Sequence, residues 1–429
     1  MNTDFFSFFT FEDPNVRYVV IGSILLTATS AIVGTFTFLK KKALVGDAVA
    51  HSVLPGVCLS FILWGEKNPL ILIPGAFLTG WLSLVLIDYI RANSKIKEDT
   101  AIGLILSVFF GIGIFMLTII QKSGDAAQSG LDSFLFGQAA SLIGQDLIVF
   151  SITAVLLLVT VFFLFKELTI LAFDPDFAAT IGIPVRAIEL VLTTLTVLAV
   201  VIGIQAVGVV LMAAMLITPA AAARFWTEDV RVMVGLAALF GAISGFAGAF
   251  ISYTAPSMPT GPWIVVVVSC IAFFSFFFAP GKGIIHRLLT TRRIRNSMTD
   301  ENILKCMYNM GELDDNFGQG RSFEELLDQR SFEKEELTDG LKRLARDGFL
   351  EKKHGGYLFT TDGLEKGKRV VKLHRLWELY LTKYLRIAPD HVHDDAETIE
   401  HILTPELEAR LEKLLDYPEV DPHQSKIPY

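Results

Sequence analysis

Apolar residues along the first two thirds of this chain come in long runs. They show neither the alternation of a half-buried strand nor the single stripe of a surface helix. A helix needs about 20 mostly apolar residues to cross ~30 Å of hydrocarbon, where no water satisfies backbone groups. Nine stretches meet or approach this: 17–39, 43–64, 69–90, 100–120, 145–165, 188–203, 204–222, 232–253 and 261–280. The sixth and seventh are the weakest, because Gly203, Gln205 and Gly208 interrupt them. The expected fold is an all-α polytopic membrane protein with about eight or nine transmembrane helices. The pattern changes near residue 297. Helical periodicity covers roughly 300–310, 322–329 and 333–346, and two β-prone runs around Gly355-Gly356 predict a hairpin within 349–360. Further helices are expected over 361–386 and 393–415. Three helices followed by a hairpin is the order of a winged helix. The reading is therefore a membrane domain over 1–297, a winged-helix α/β domain over 298–360 and a helical subdomain over 361–429.

The composition of the 429 residues, 52% hydrophobic and 19% charged, excludes a disordered chain, a collagen and a disulfide scaffold. Cys58, Cys270 and Cys306 have no C-x-x-C spacing, so neither a zinc ribbon nor a dithiol redox site is written here. The net charge of −8 is unevenly divided. Residues 1–297 hold 18 Lys and Arg against 17 Asp and Glu, a net of +1. Residues 298–429 hold 19 against 28, a net of −9, and six of the eight histidines. Lys40-Lys41-Lys42, Arg91 with Lys95 and Lys97, Lys166 with Arg186, Arg224 with Arg231, and Lys282 to Arg295 all fall on one side if the N-terminus is outside. Basic residues collect in short cytoplasmic loops, so residues 298–429 are expected in the cytoplasm of a prokaryotic plasma or inner membrane. The first residues lack the basic region and cleavage site of a signal peptide. Phe5 to Phe9 are expected in the membrane interface as an aromatic anchor. No G-x-x-x-x-G-K-[ST] loop occurs: the run from Gly363 to Arg369 has the wrong spacing. The chain reads as no enzyme, and any ATP hydrolysis must come from another chain.

Ionisable residues inside a span are costly and tend to be functional. Asp47 and His51 in the second span are four apart, on one helix face. A carboxylate and an imidazole suit Mn(II), Fe(II) or Zn(II). A helix–helix hydrogen bond, or Asp47 reaching the interface, fits the same spacing. The run from Gly46 to Gly56, G-D-A-x-x-H-x-x-L-P-G, resembles the membrane subunits of ABC importers for manganese, zinc and iron(II). Lys97 to Gly103, Phe173 to Pro184 and Met215 to Ala221 are similar to further motifs of that family, and the resemblance spans about 16–285. It implies that Asp47 and His51 contact the metal during passage. It implies that the segment carrying Phe173, Asp174, Pro175, Gly182 and Pro184 docks on an ABC ATPase subunit. It also implies an extracytoplasmic metal-carrying binding protein, and a pairing of two such chains or of this chain with a related permease.

The run Val392 to His401 packs acidic residues and histidines at helical spacing, while His374 and Glu378 are four apart on the preceding helix. This arrangement resembles the iron- and manganese-dependent repressors of the diphtheria-toxin-repressor class, across 298–429. The resemblance implies a primary metal site at Glu397, Glu400 and His401 and an ancillary one at His374, Glu378 and His393. It also implies ligands from the first helix, where this chain has Asn302 and Lys305; Asp300 or Glu301 could substitute. The helix that would read DNA carries Glu333, Glu335, Glu336 and Asp339 against Lys334 in its N-terminal half. Net negative charge repels the duplex, so DNA is not expected as a partner. The reading is a metal-import permease with a metal-sensing regulatory domain, and the alternative is a permease fused to a metal-dependent DNA-binding repressor.

Overall fold

The computed structural model describes residues 8–65, 69–122, 144–254, 259–353, 355–385 and 405–429. The chain forms two compact units, Met1–His286 and Arg287–Tyr429.

In the first unit, eight helices among the described residues are long and apolar enough to cross a membrane. Helix α1 (Pro14–Leu39) starts at Asp13, whose carboxylate accepts the Asn15 N–H at 2.8 Å, with a proline in the first turn. The second span is two helices, α2 (Val45–Ser52) and α3 (Leu54–Trp64). Pro55 lies just past the joint and has no N–H, so the His51 carbonyl lacks the donor it would meet in a continuous helix. Next come α4 (Pro69–Asn93), α5 (Glu98–Lys122), α6 (Gly144–Phe163) and the short α7 (Phe165–Phe173) and α8 (Pro175–Thr180). The unit closes with α9 (Val185–Val207), α10 (Val209–Arg224), α11 (Val230–Thr254) and α12 (Thr260–Phe278).

The joint between the sixth and seventh apolar stretches is Gly208, not residues 203–204. Gly208 has φ 91° and ψ 162°, backbone that only glycine adopts cheaply. Gly203 stays helical and serves close approach: a Cβ there would stand 2.3 Å from the Met212 sulfur of α10. Small residues do the same between α3 and α4, where a Cβ on Gly56 would lie 2.0 Å from the Gly75 carbonyl. Within the expected aromatic anchor, Phe9 is 49% exposed whereas Phe8 packs on protein. Phe8 is 1% exposed and packs on α11, its ring edge-on to Phe250 with centroids 5.0 Å apart. Phe5 and Phe6 lie outside the described residues.

The second unit contains most of α13 (Ile284–Leu313), then α14 (Phe323–Gln329), α15 (Lys334–Arg346) and an antiparallel hairpin of β1 (Leu350–Lys353) and β2 (Gly356–Phe359). The register pairs Leu350 with Phe359 and Lys353 with Gly356. Ser322 and Glu325 form a reciprocal capping box on α14. Ile303, Leu304, Met307, Leu326, Leu337, Leu341 and Leu350 make the core of this winged-helix arrangement. Arg343 grips the Asp300 carboxylate, with its closest contact at 2.7 Å, and ties α15 to α13. Helices α16 (Thr361–Tyr384) and α17 (Pro405–Leu414) follow. Lys372 joins them, reaching Glu408 at 2.5 Å and Glu412 at 2.8 Å.

Candidate functional site

Asp47 sits in the first turn of α2 and His51 in its last. Four residues of helix put both side chains on one face, with His51 Nε2 3.4 Å from Asp47 Oδ1. The ring stands edge-on to Phe110 of α5, centroids 5.0 Å apart. His51 Nδ1 is buried without a hydrogen-bond partner, and so is the adjacent Ser52 hydroxyl. A buried imidazole nitrogen normally has a partner, so this one is a donor or acceptor available to a ligand. The second span is the most enclosed of the eight, 78% buried where α5, α6 and α12 are each 22%. Asp47 retains 40% side-chain exposure, against 20% for His51. One carboxylate, one open ring nitrogen and a released backbone carbonyl are oxygen and nitrogen donors suited to a divalent transition ion.

A second polar group in this unit escaped the sequence reading. Lys40 at the end of α1 reaches Glu189 of α9 at 2.5 Å, and Thr37 meets Thr196 at 3.3 Å. Asp88 lies 3.4 Å from Lys42 and 3.9 Å from Arg91, which also holds Glu98 at 3.1 Å. All of these side chains except Arg91 line one small cavity. The Lys40–Lys42 run was the available signal, but its acidic partners lie far away in sequence.

The segment 173–184 is compact and shaped by local rules. Asp174 caps α8, its carboxylate accepting the Phe177 N–H at 2.9 Å, and Pro175 takes the first helical position. Gly182 ends the turn with φ 86°, and Pro184 precedes α9. Ala178 is fully buried, while Phe173, Phe177 and Ile181 are half or more exposed. Three large apolar side chains on one short segment are a surface patch of the kind that meets a partner.

In the second unit, His374 and Glu378 of α16 form another pair four residues apart, Nε2 to Oε1 at 3.1 Å. Lys305 of α13 stands 3.2 Å from His374 Nδ1. All three are buried, at 3% for Lys305, 6% for His374 and 2% for Glu378. Cys306 beside Lys305 offers no thiolate, because burial pushes its thiol up to about 11. His393, Glu397, Glu400 and His401 lie outside the described residues. Among the described residues no three His, Cys, Asp or Glu side chains converge as a metal site.

Residues 12–279 match the ABC 3 transport family. The chain belongs to that family. Residues 360–429 match the metal-binding and dimerisation domain of iron-dependent repressors. Among ABC 3 relatives, the manganese transport system membrane protein MntC of Bacillus subtilis is 42% identical over 379 residues, 88% of this chain and 86% of that protein. The zinc transport system membrane protein TroC of Treponema pallidum is 42% identical over 284 residues, 66% of this chain and 95% of its own length. In structure the chain resembles PsaBC from Streptococcus pneumoniae in complex with Fab, with a TM-score of 0.60 and 33% identity over 68% of this chain and all of that one. This ABC 3 chain is a multi-pass membrane permease carrying a repressor-like C-terminal domain.

Proposed function

We propose that this chain is the permease subunit of an ATP-driven importer for a divalent transition metal, with Mn(II) the preferred substrate and Zn(II) or Fe(II) the alternatives. The observation that carries the reading is the Asp47–His51 pair, with an unpartnered imidazole nitrogen, in the most enclosed span. Manganese or zinc is also what the named relatives move. A substrate ion would exchange water for the Asp47 carboxylate and the His51 ring, and leave because two protein donors hold it weakly. An extracytoplasmic binding protein delivers the ion. The exposed Phe173, Phe177 and Ile181 around α8 dock on a separate ATPase subunit and convert its closure into movement of the bundle. Two copies of this chain, or one with a related permease, form the two-fold pathway. Uptake of labelled manganese into cells by wild type, Asp47→Ala and His51→Ala tests the pathway, and normal uptake by both variants would remove it.

The C-terminal region, 298–429, lies in the cytoplasm and senses the imported metal through carboxylate and imidazole donors centred on Glu397, Glu400 and His401. The repressor-domain match over 360–429 supports this. Filling the site favours a transport-inhibited state, and the free energy comes from the difference in metal affinity between the two states. The exposed Glu333, Glu335 and Asp339 on and before α15 weigh against a duplex as the partner. ATPase-coupled uptake into vesicles loaded with Mn(II), for the full chain and for a truncation after Arg295, tests the regulation. Equal inhibition of both would exclude it. A low-salt gel shift with Mn(II) addresses the repressor alternative.

A further inference from the structure

Helix α13 has two unlike halves. From Ile303 onward its apolar residues are buried in the core of the winged-helix arrangement. Residues 285–295, three turns of the same helix, are exposed on every side. Four of them are large and apolar: Ile285 is 38% exposed, Leu288 64%, Leu289 63% and Ile294 55%. Ile284, Ile285, Leu288 and Leu289 recur at helical spacing and form one stripe. Cations surround that stripe. Lys282, Arg287, Arg292, Arg293 and Arg295 all lie within 279–299, a stretch without Asp or Glu. The side chains of Arg287, Arg292 and Arg293 have no hydrogen-bond or ion-pair partner among the described residues, and Arg295 approaches Glu336 at 3.9 Å.

Residues 279–283 alone separate this helix from the last apolar span, α12. Gly281 turns the backbone to φ 83°, so α13 does not continue α12. Lys282 then fixes the start of α13 to the bundle, donating to the Arg224 carbonyl at 3.4 Å and pairing with Glu228 at 2.7 Å. Arg224 ends α10, so the basic stretch begins where apolar spans end. An apolar stripe among arginines beside a span suits an anionic bilayer surface. Aliphatic side chains enter the headgroup region and guanidinium groups meet phosphate. Arg292 follows Leu288 by one turn and reaches outward along its own apolar stem. A nucleic acid would use the arginines but leave the exposed leucines in water.

We propose that residues 284–295 of α13 are a docking surface for the headgroups of anionic phospholipids. Arg287, Arg292 and Arg293 supply the attraction, and Ile285, Leu288 and Leu289 the insertion. Docking then follows the anionic lipid content of the membrane. One arginine near such a surface is worth about fivefold in the docking equilibrium, so three are worth about a hundredfold.

The test uses the full chain with Leu289→Cys carrying a nitrobenzoxadiazole dye. A Cys270→Ser background removes the exposed native thiol, while Cys58 and Cys306 are buried. The labelled chain is placed in nanodiscs of phosphatidylcholine alone, or of equal parts phosphatidylcholine and phosphatidylglycerol. In the mixed discs the emission is expected to shift to the blue and to be quenched by doxyl-labelled lipid, and in phosphatidylcholine the dye stays in water. The variant Arg287→Gln/Arg292→Gln/Arg293→Gln returns the dye to water in mixed discs, whereas Arg287→Lys/Arg292→Lys/Arg293→Lys keeps it at the surface. Equal quenching in both kinds of disc, or undiminished quenching in the glutamine variant, would overturn the proposal, since charge would then play no part. Loss in the lysine variant as well would also overturn it, as the mark of a disturbed helix. So would a dye that stays in water in mixed discs, including one that shifts only when an ATPase subunit is added, which assigns the patch to a protein partner.

Discussion

Two acid–histidine pairs at the same spacing sit in the two units, and they are in opposite chemical states. Asp47–His51 in α2 is loose at 3.4 Å and half open, with one ring nitrogen unpartnered. His374–Glu378 in α16 is tighter at 3.1 Å, nearly fully buried, and closed by Lys305 on the remaining nitrogen. Helical spacing brings a carboxylate to an imidazole in both. What each pair can bind is decided by the third group that packing brings, or does not bring, to the ring. An open nitrogen in an enclosed span can exchange ligands, whereas a ring with neighbours at both nitrogens is less free to do so.

The comparison can be broken most severely in the membrane pair. His51→Ala or Asp47→Ala is expected to lower uptake to background with the amount of protein in the membrane unchanged, as read by labelled-manganese uptake and quantitative blotting. The matching changes at His374 or Glu378 leave uptake from metal-free vesicles intact. In the closed pair the effect falls on stability instead. Glu378→Ala removes the carboxylate 3.1 Å from a buried imidazole and is expected to cost about 3 kcal/mol in chemical unfolding of the C-terminal unit. Lys305→Met combined with Glu378→Leu should recover most of that loss, since an apolar replacement of a buried pair is often near neutral.

The frame around the open pair is sensitive to volume. Gly56→Leu forces a side chain into the backbone of α4, where even a Cβ would lie 2.0 Å from the Gly75 carbonyl. A cost of about 2 kcal/mol or more is expected, read as a lowered thermal midpoint in detergent. The smallest effect concerns the platform of the closed pair. Burial draws the Lys372 ammonium down, but Glu408 and Glu412 outweigh it and hold the group above the ordinary lysine range. A raised folded value means stabilisation that is complete below the unfolded lysine pKa, near 10.4, and is lost as pH rises through the folded one. Unfolding midpoints of the wild type and Lys372→Met are therefore expected to differ by about 1 kcal/mol at neutral pH. They should converge only at strongly alkaline pH.

Much of the architecture is legible because it depends on near neighbours. Apolar run length marks the spans, and the turn around Gly355-Gly356 marks a hairpin observed at Leu350–Lys353 and Gly356–Phe359. The capped start of α8 is likewise written in Asp174 and Pro175. The joint at Gly208 was less legible, because three polar or small residues in 203–208 break the apolar pattern equally. Only one of them turns the backbone to positive φ. The packing of Phe8 on α11 was not legible, because aromatic residues near a span look alike in sequence whatever helix they meet.

Local order thus determined the helices, the hairpin, the charge division between the two units and the existence of both acid–histidine pairs. Tertiary structure alone decided that one pair is open and the other closed. Lys305 reaches His374 across 69 residues of sequence, and Lys40 reaches Glu189 across 149. Spacing rules act over a helical turn, whereas the partner that satisfies a buried polar atom comes from whichever helix packs against it.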